Sequence, residues 1–137
     1  MLGLPAPVKW GPFVVVKTDN GTNLDYMDTD GEITSQHYAF LVDEPNFDAI
    51  FARIRARNLP YWADPGQTQQ GQINPRDGGC GLYFEEPNGH FLEIITRPYG
   101  AAGGIPERMW QSQPHSDLAI SSVIFLASPS TIMVLSR

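Results

Sequence analysis

A chain of 137 residues, 42% of them apolar and three of them tryptophan, has enough hydrophobic surface for one packed domain and too little length for two. Fifteen acidic residues against nine basic ones leave a formal net charge of -6, and the basic residues gather nowhere more densely than the alternation Arg53, Arg55, Arg57. Nucleic acid and anionic membrane surfaces are therefore excluded as expected partners. The lone Cys80 has no internal disulfide partner, the N-terminus lacks the pattern of a secretory signal, and the apolar C-terminal stretch is interrupted by Ser128-Pro129-Ser130. The expectation is a soluble, cytoplasmic protein.

Residues 13–17 (FVVVK) and 22–28 (TNLDYMD) flank Asn20-Gly21, and Asn-Gly between two strand-like runs predicts a hairpin. The run HYAFLV, residues 37–42, is short, aromatic and branched, and predicts a third strand. From Pro45 to Asn58, Phe47, Ile50, Phe51 and Ile54 recur at helical spacing, with Pro45 suited to the first turn and Pro60 to the stop. A short strand in LPYWAD follows, then a polar, Gly-rich loop over 64–79, then the strands CGLYFEE and HFLEIIT joined by a Pro-Asn-Gly turn. Residues 37–97 thus read strand, helix, strand, strand, strand. From Pro98 to Asp117 the composition is that of a linker, and the last residues suggest two further strands around Ser128-Pro129-Ser130.

One residue breaks the pattern of the last predicted strand. Glu93 sits between Leu92 and Ile94, and alternation puts it on one face with Phe91 and Ile95. An ionised carboxylate among such neighbours is costly unless a cation, a metal or several donors compensate it. His37 shares its face with Ala39 and Leu41, and Asp25 stands between Leu24 and Tyr26 on the preceding strand. One imidazole and two carboxylates on three strands suit iron(II), manganese, nickel or zinc with positions left open. Plainer readings stand beside this one: His37 as a half-buried histidine, Glu93 as a paired edge carboxylate, Asp25 as a solvent-facing residue, His90 as a solvated turn residue and Cys80 as a packed thiol.

The element order, the strand HYAFLV, the turn EEPNG and the strand HFLEII together resemble the vicinal oxygen chelate superfamily of glyoxalases, bleomycin-resistance proteins and extradiol dioxygenases. The resemblance covers residues 3 to about 98. It implies an α+β fold in which βαβββ modules form a cup-shaped mixed sheet, with residues 1–30 a partial first module, 37–98 a complete second one, and 101–137 an extension. Residues 2–16 then resemble the end of the first module's helix running into its second strand, the first strand and most of that helix being absent. By the same resemblance His37 and Glu93 match metal ligands and Asp25 a third ligand or general base. An incomplete sheet with open edges further suggests a homodimer.

Two functions follow from the resemblance. One is a metal-dependent lyase, isomerase or dioxygenase, with a divalent cation (Fe2+, Mn2+, Ni2+ or Zn2+) chelating adjacent oxygens of a small substrate. The other is a metal-free, bleomycin-resistance-like protein that holds a cationic or aromatic ligand against Trp10, Tyr38, Tyr61, Trp62, Tyr83 and Trp110. A third possibility is a chain with no intact site.

Overall fold

The computed structural model describes residues 1–18 and 20–102, together with the backbone of 120–125. Within these residues the fold is α+β, with eight strands in two sheets and one α-helix. No helix among the described residues is long and apolar enough to cross a membrane.

The smaller sheet is an antiparallel meander of β1 (Val8–Trp10), β2 (Phe13–Lys17) and β3 (Asn23–Met27). The hairpin expected at Asn20-Gly21 joins β2 to β3. Asn20 Oδ1 accepts from the Thr18 hydroxyl at 2.6 Å and the Thr22 amide at 3.0 Å, and Gly21 takes a φ of +78° that side chains resist. Strand β1 departs from expectation. Residues expected to end a helix instead form no regular structure up to Pro7, and Val8–Trp10 pairs with β2 across a turn whose Gly11 has φ +58°.

The larger sheet has the order β5-β6-β7-β4-β8. Strand β4 (His37–Val42) leads into α1 (Glu44–Ala56), which crosses to β5 (Tyr61–Trp62) at the far side. Strands β6 (Gly81–Glu85) and β7 (Phe91–Ile95) then step back by antiparallel pairing until β7 lies parallel to β4. Strand β8 (Ile120–Phe125) closes the other side of β4, antiparallel to it. One of the two strands expected near the C-terminus is therefore present; the segment around Ser128-Pro129-Ser130 lies outside the described residues.

The helix begins and ends where local chemistry satisfies its free backbone groups. The Asp43 carboxylate caps the first turn by accepting from the Asn46 amide at 2.9 Å, and Asn58, at φ +51°, stops the helix in the left-handed conformation. Phe47, Ile50 and Ile54 face the sheet and are buried against Tyr38, Phe40, Val42, Leu82, Phe84 and Ile94. Each such side chain contributes about 1.5–3 kcal/mol by leaving water. Leu24 of β3 enters the same core, which seats the small sheet on the large one.

Because side chains alternate, filling one face with core residues assigns the other face to the remaining positions. That second face carries His37, Ala39 and Leu41 of β4, Phe91, Glu93 and Ile95 of β7, Tyr83 of β6 and Trp62 of β5, all set side by side by the strand register.

The polar loop between β5 and β6 is pinned at both ends. Asp64, 8% exposed, accepts from the Thr68 and Gln69 amides and the Thr68 hydroxyl at 2.7–3.1 Å, and Asn74 donates to the Ala63 carbonyl at 2.9 Å. Burial alone would raise the Asp64 pKa, but these donors outweigh it and hold the carboxyl below its usual range. A depressed folded-state pKa means the contribution is present at neutral pH and fades as acid protonates the group. Asp64→Ala is expected to speed limited proteolysis within residues 64–72 several-fold at neutral pH, with the difference from the parent narrowing at low pH. Equal cleavage at neutral pH would show that the loop is held by other contacts.

Candidate metal centre

Three hydrogen bonds align the start of β4 with the start of β7. The Phe91 amide donates to the Gln36 carbonyl at 2.7 Å, the Gln36 amide donates to His90 Nδ1 at 3.2 Å, and the Ser35 hydroxyl donates to the Gly89 carbonyl at 2.7 Å. His90, expected to be a solvated turn residue, is half-buried with its ring edge-on to Tyr38, so it works as a structural pin. The turn preceding it is closed by Glu86, whose carboxylate accepts from the Asn88 and His90 amides, with Gly89 at φ +86°.

This alignment places His37 opposite Phe91 and Ala39 opposite Glu93. The small Ala39 leaves room beside the carboxylate, and His37 Nε2 lies 3.2 Å from Glu93 Oε2. Glu93 is fully buried, whereas the His37 side chain keeps 21% of its surface and opens the pair toward solvent. Neither of the two facing atoms makes a hydrogen bond, although both are shielded from water. A buried polar atom without a hydrogen bond is expensive, and a cation bound at these two atoms, which face each other at ion-pair distance, would answer both.

Their spacing fits a cation. With metal–ligand bonds of roughly 2.0–2.2 Å, two neighbouring ligands stand about 3.0 Å apart at a right angle and about 3.4 Å apart at a tetrahedral one. The observed 3.2 Å falls between these. Imidazole nitrogen with carboxylate oxygen is also a donor set that suits iron(II), manganese, nickel and zinc.

The other carboxylate oxygen is occupied. The Tyr99 hydroxyl donates to Glu93 Oε1 through a short hydrogen bond, and Tyr83 and Tyr99 hydroxyls lie 2.8 Å apart. Since the Tyr99 hydroxyl hydrogen is directed at Glu93, Tyr83 is the donor in the second bond, and the chain runs Tyr83 to Tyr99 to Glu93. Burial first, then the hydrogen bond to Tyr99 and the nearby Glu93 carboxylate, push the Tyr83 hydroxyl far above the usual phenol range. Burial and the bond to Glu93 push Tyr99 up to about 12. Both therefore stay protonated at neutral pH and remain donors.

Aromatic rings wall the pair. Tyr83 and Phe91 stack at 5.5 Å with planes 17° apart, His37 lies 5.5 Å from Tyr83 and 6.1 Å from Phe91, and Trp62 leans on Phe91 at 6.0 Å. Of the six aromatic residues expected to line a cleft, Trp62 and Tyr83 lie on the face of His37 and Glu93, both buried. Tyr38 and Tyr61 face the helix side and pack with the core, and Trp10 is exposed on the small sheet. Trp110, like His115, lies outside the described residues.

Asp25 stands in β3 opposite Val15, on the other sheet. Among the described residues, no three His, Cys, Asp or Glu side chains gather closely enough to hold one metal ion. The structure thus joins His37 to Glu93 and leaves Asp25 out of a three-residue group. Cys80, expected to be packed, is exposed at the mouth of β6. A cavity of about 460 Å³ lies on the far side of the sheet, lined by Leu4, Tyr26, Arg53, Glu86 and Leu92 among others, and contains neither His37 nor Glu93. Tyr99 was hidden from sequence reasoning by the Gly-rich composition around it; its one signal is an aromatic residue in a Pro-Tyr-Gly turn directly after the strand that carries Glu93.

No protein-family model and no curated protein matches the chain. Solved structures do, two oxidases among them. The oxidase ChaP-H2 is 59% identical, with a TM-score of 0.72, over 74% of this chain and 80% of its own. The oxidase ChaP-H1 is 56% identical, with a TM-score of 0.71, over 72% of this chain and 80% of its own.

Proposed function

The chain belongs to the family of the oxidases ChaP-H1 and ChaP-H2, and from that premise we propose that it is an oxidase of the vicinal oxygen chelate type whose reacting centre is a divalent metal held by His37 and Glu93. The observation that carries this reading is the pair of buried, unbonded atoms, His37 Nε2 and Glu93 Oε2, 3.2 Å apart at the open end of an aromatic-walled face. Such a metal supplies Lewis acidity toward two adjacent oxygens of a small organic substrate and, if iron or manganese, a route for electrons to dioxygen.

The chain's own residues prepare that chemistry. Glu93 brings a carboxylate into a fully buried position, where attraction to a cation is least screened. His37, partly exposed, stands between the buried carboxylate and the solvent from which substrate arrives. Phe91, half-buried and backed by Trp62, offers apolar surface beside the pair, suited to a planar substrate. Two residues do not complete a coordination sphere. The remaining positions fall to substrate, water or a residue from elsewhere, and Asp25 belongs in this scheme as a ligand or base contributed by a second copy of the chain.

Elemental analysis of protein purified without chelator tests the reading. About one iron, manganese, nickel or zinc per chain is expected, falling to background in His37→Ala. Protein that retains no metal, even after loading with each of these ions, would sink the metal-centred reading in favour of a metal-free binding protein.

A further inference from the structure

We propose that Tyr99 is a positioning residue that restricts Glu93 to one-oxygen coordination, by holding Oε1 and leaving Oε2 alone to face His37. The inference rests on the metal-centred reading above and adds to it how the carboxylate is presented.

A carboxylate has two equivalent oxygens, and when both are free a cation can take either one or both. Here the two are made different. Oε1 accepts from Tyr99, whose own oxygen accepts from Tyr83, and a hydroxyl that is itself hydrogen-bonded becomes a stronger donor. Oε2 makes no hydrogen bond and points toward His37 Nε2. Glu93 is wholly buried, so no water competes for either oxygen.

Tyr99 is held for this task by parts of the chain distant in sequence. It sits in the turn after β7, where Gly100 takes φ +79° and donates its amide to Asp77 Oδ2 at 3.2 Å. Asp77 itself has φ +54°, in a short 3-10 turn over Arg76–Gly78 at the end of the polar loop. Asn74 anchors that stretch, exchanging backbone hydrogen bonds with Gly81 at 2.9 Å in both directions. The loop of residues 64–79 and the turn at 98–100 thus meet at Gly100, next to the tyrosine whose hydroxyl grips Glu93. Neither the core nor the sheet requires this contact, since Tyr99 lies outside the buried cluster.

The test measures Co2+ binding by isothermal titration calorimetry, with the visible absorption of the Co2+ form as a signature of its coordination. Parent, Tyr99→Phe, Asp77→Gly and His37→Ala are compared. Phe keeps the ring and removes only the donor. Gly suits the left-handed backbone at position 77 and removes only the acceptor that anchors Gly100.

Tyr99→Phe is expected to weaken Co2+ binding roughly 10- to 100-fold and to shift the absorption bands as the freed oxygen enters the coordination sphere. Asp77→Gly is expected to move both in the same direction by less, and it carries the test should Tyr99→Phe fail to fold. Unchanged affinity and spectrum in the folded variants, beside parent binding that His37→Ala abolishes, would overturn the role of Tyr99 while sparing the metal centre. Absence of Co2+ binding in the parent would overturn both.

Discussion

Glu93→Gln is expected to lose metal almost completely while making the metal-free protein more stable, by about 1–2 kcal/mol or roughly 4–8 °C in Tm. The two effects share one cause. Glu93 is fully buried, and its Oε2 lies against His37 Nε2 without a hydrogen bond. Without a cation the fold buries a carboxylate whose hydrogen bond among the described residues comes from Tyr99. Glutamine has the same shape. Its carbonyl oxygen accepts from Tyr99 as Oε1 does, and its amide group, facing His37, donates to the imidazole nitrogen. The buried charge disappears and the empty contact is filled, so folding gains; the neutral amide is a poor ligand for a hard cation, so binding fails. Elemental analysis and thermal unfolding in the presence of chelator read the two effects separately. A variant less stable than the chelated parent would show that the carboxylate is part of the structural framework rather than a cost borne for binding.

The same residue explains how much of the site was legible in the sequence. A carboxylate at the centre of an apolar strand announces that something must compensate it, and alternation alone puts His37 and Glu93 on faces that parallel pairing of β4 with β7 then joins. Asp25 carried the same cue, a carboxylate between apolar neighbours in a strand. Alternation within a strand does not say to which sheet the strand belongs, and β3 belongs to the other one. Tyr99 left almost no trace, because its partners are chosen by a contact between Asp77 and Gly100, 23 residues apart, that no local pattern encodes.

The fold was legible where local chemistry dictates it. Asn20-Gly21 made a hairpin, and the spacing of Phe47, Ile50 and Ile54 made a helix, placed one residue earlier at its start and two earlier at its end than the pattern suggested. Elsewhere tertiary contacts decided. Val8–Trp10 is exposed along its whole length, and its alternation of three residues is too short to betray a strand; backbone pairing with β2 makes it one. The loop 64–79 reads as unstructured from its glutamines and glycines, yet Asp64 and Asn74 pin it, because one buried carboxylate and one buried amide satisfy several backbone groups at once.

One position further along β7, Ile94→Ala is expected to do the reverse of Glu93→Gln: lower stability by about 2–4 kcal/mol and leave the metal content per folded chain unchanged. Ile94 is fully buried, stands in register with Phe40 on one side and Leu82 on the other, and joins the core formed with Phe47, Ile50 and Ile54 of α1. Truncation removes three methyl or methylene groups from a sheet face against which α1 is already packed, and the cavity left adds to the lost transfer free energy. For a domain of this size the loss corresponds to roughly 8–16 °C in Tm. The side chain points away from His37, so the spacing of Nε2 and Oε2 does not depend on it. Chemical denaturation together with metal analysis of the folded fraction separates the outcomes. Loss of metal from folded Ile94→Ala protein would mean that the helix-side packing sets the height of Glu93 above the sheet, and that the two faces of β7 are not independent.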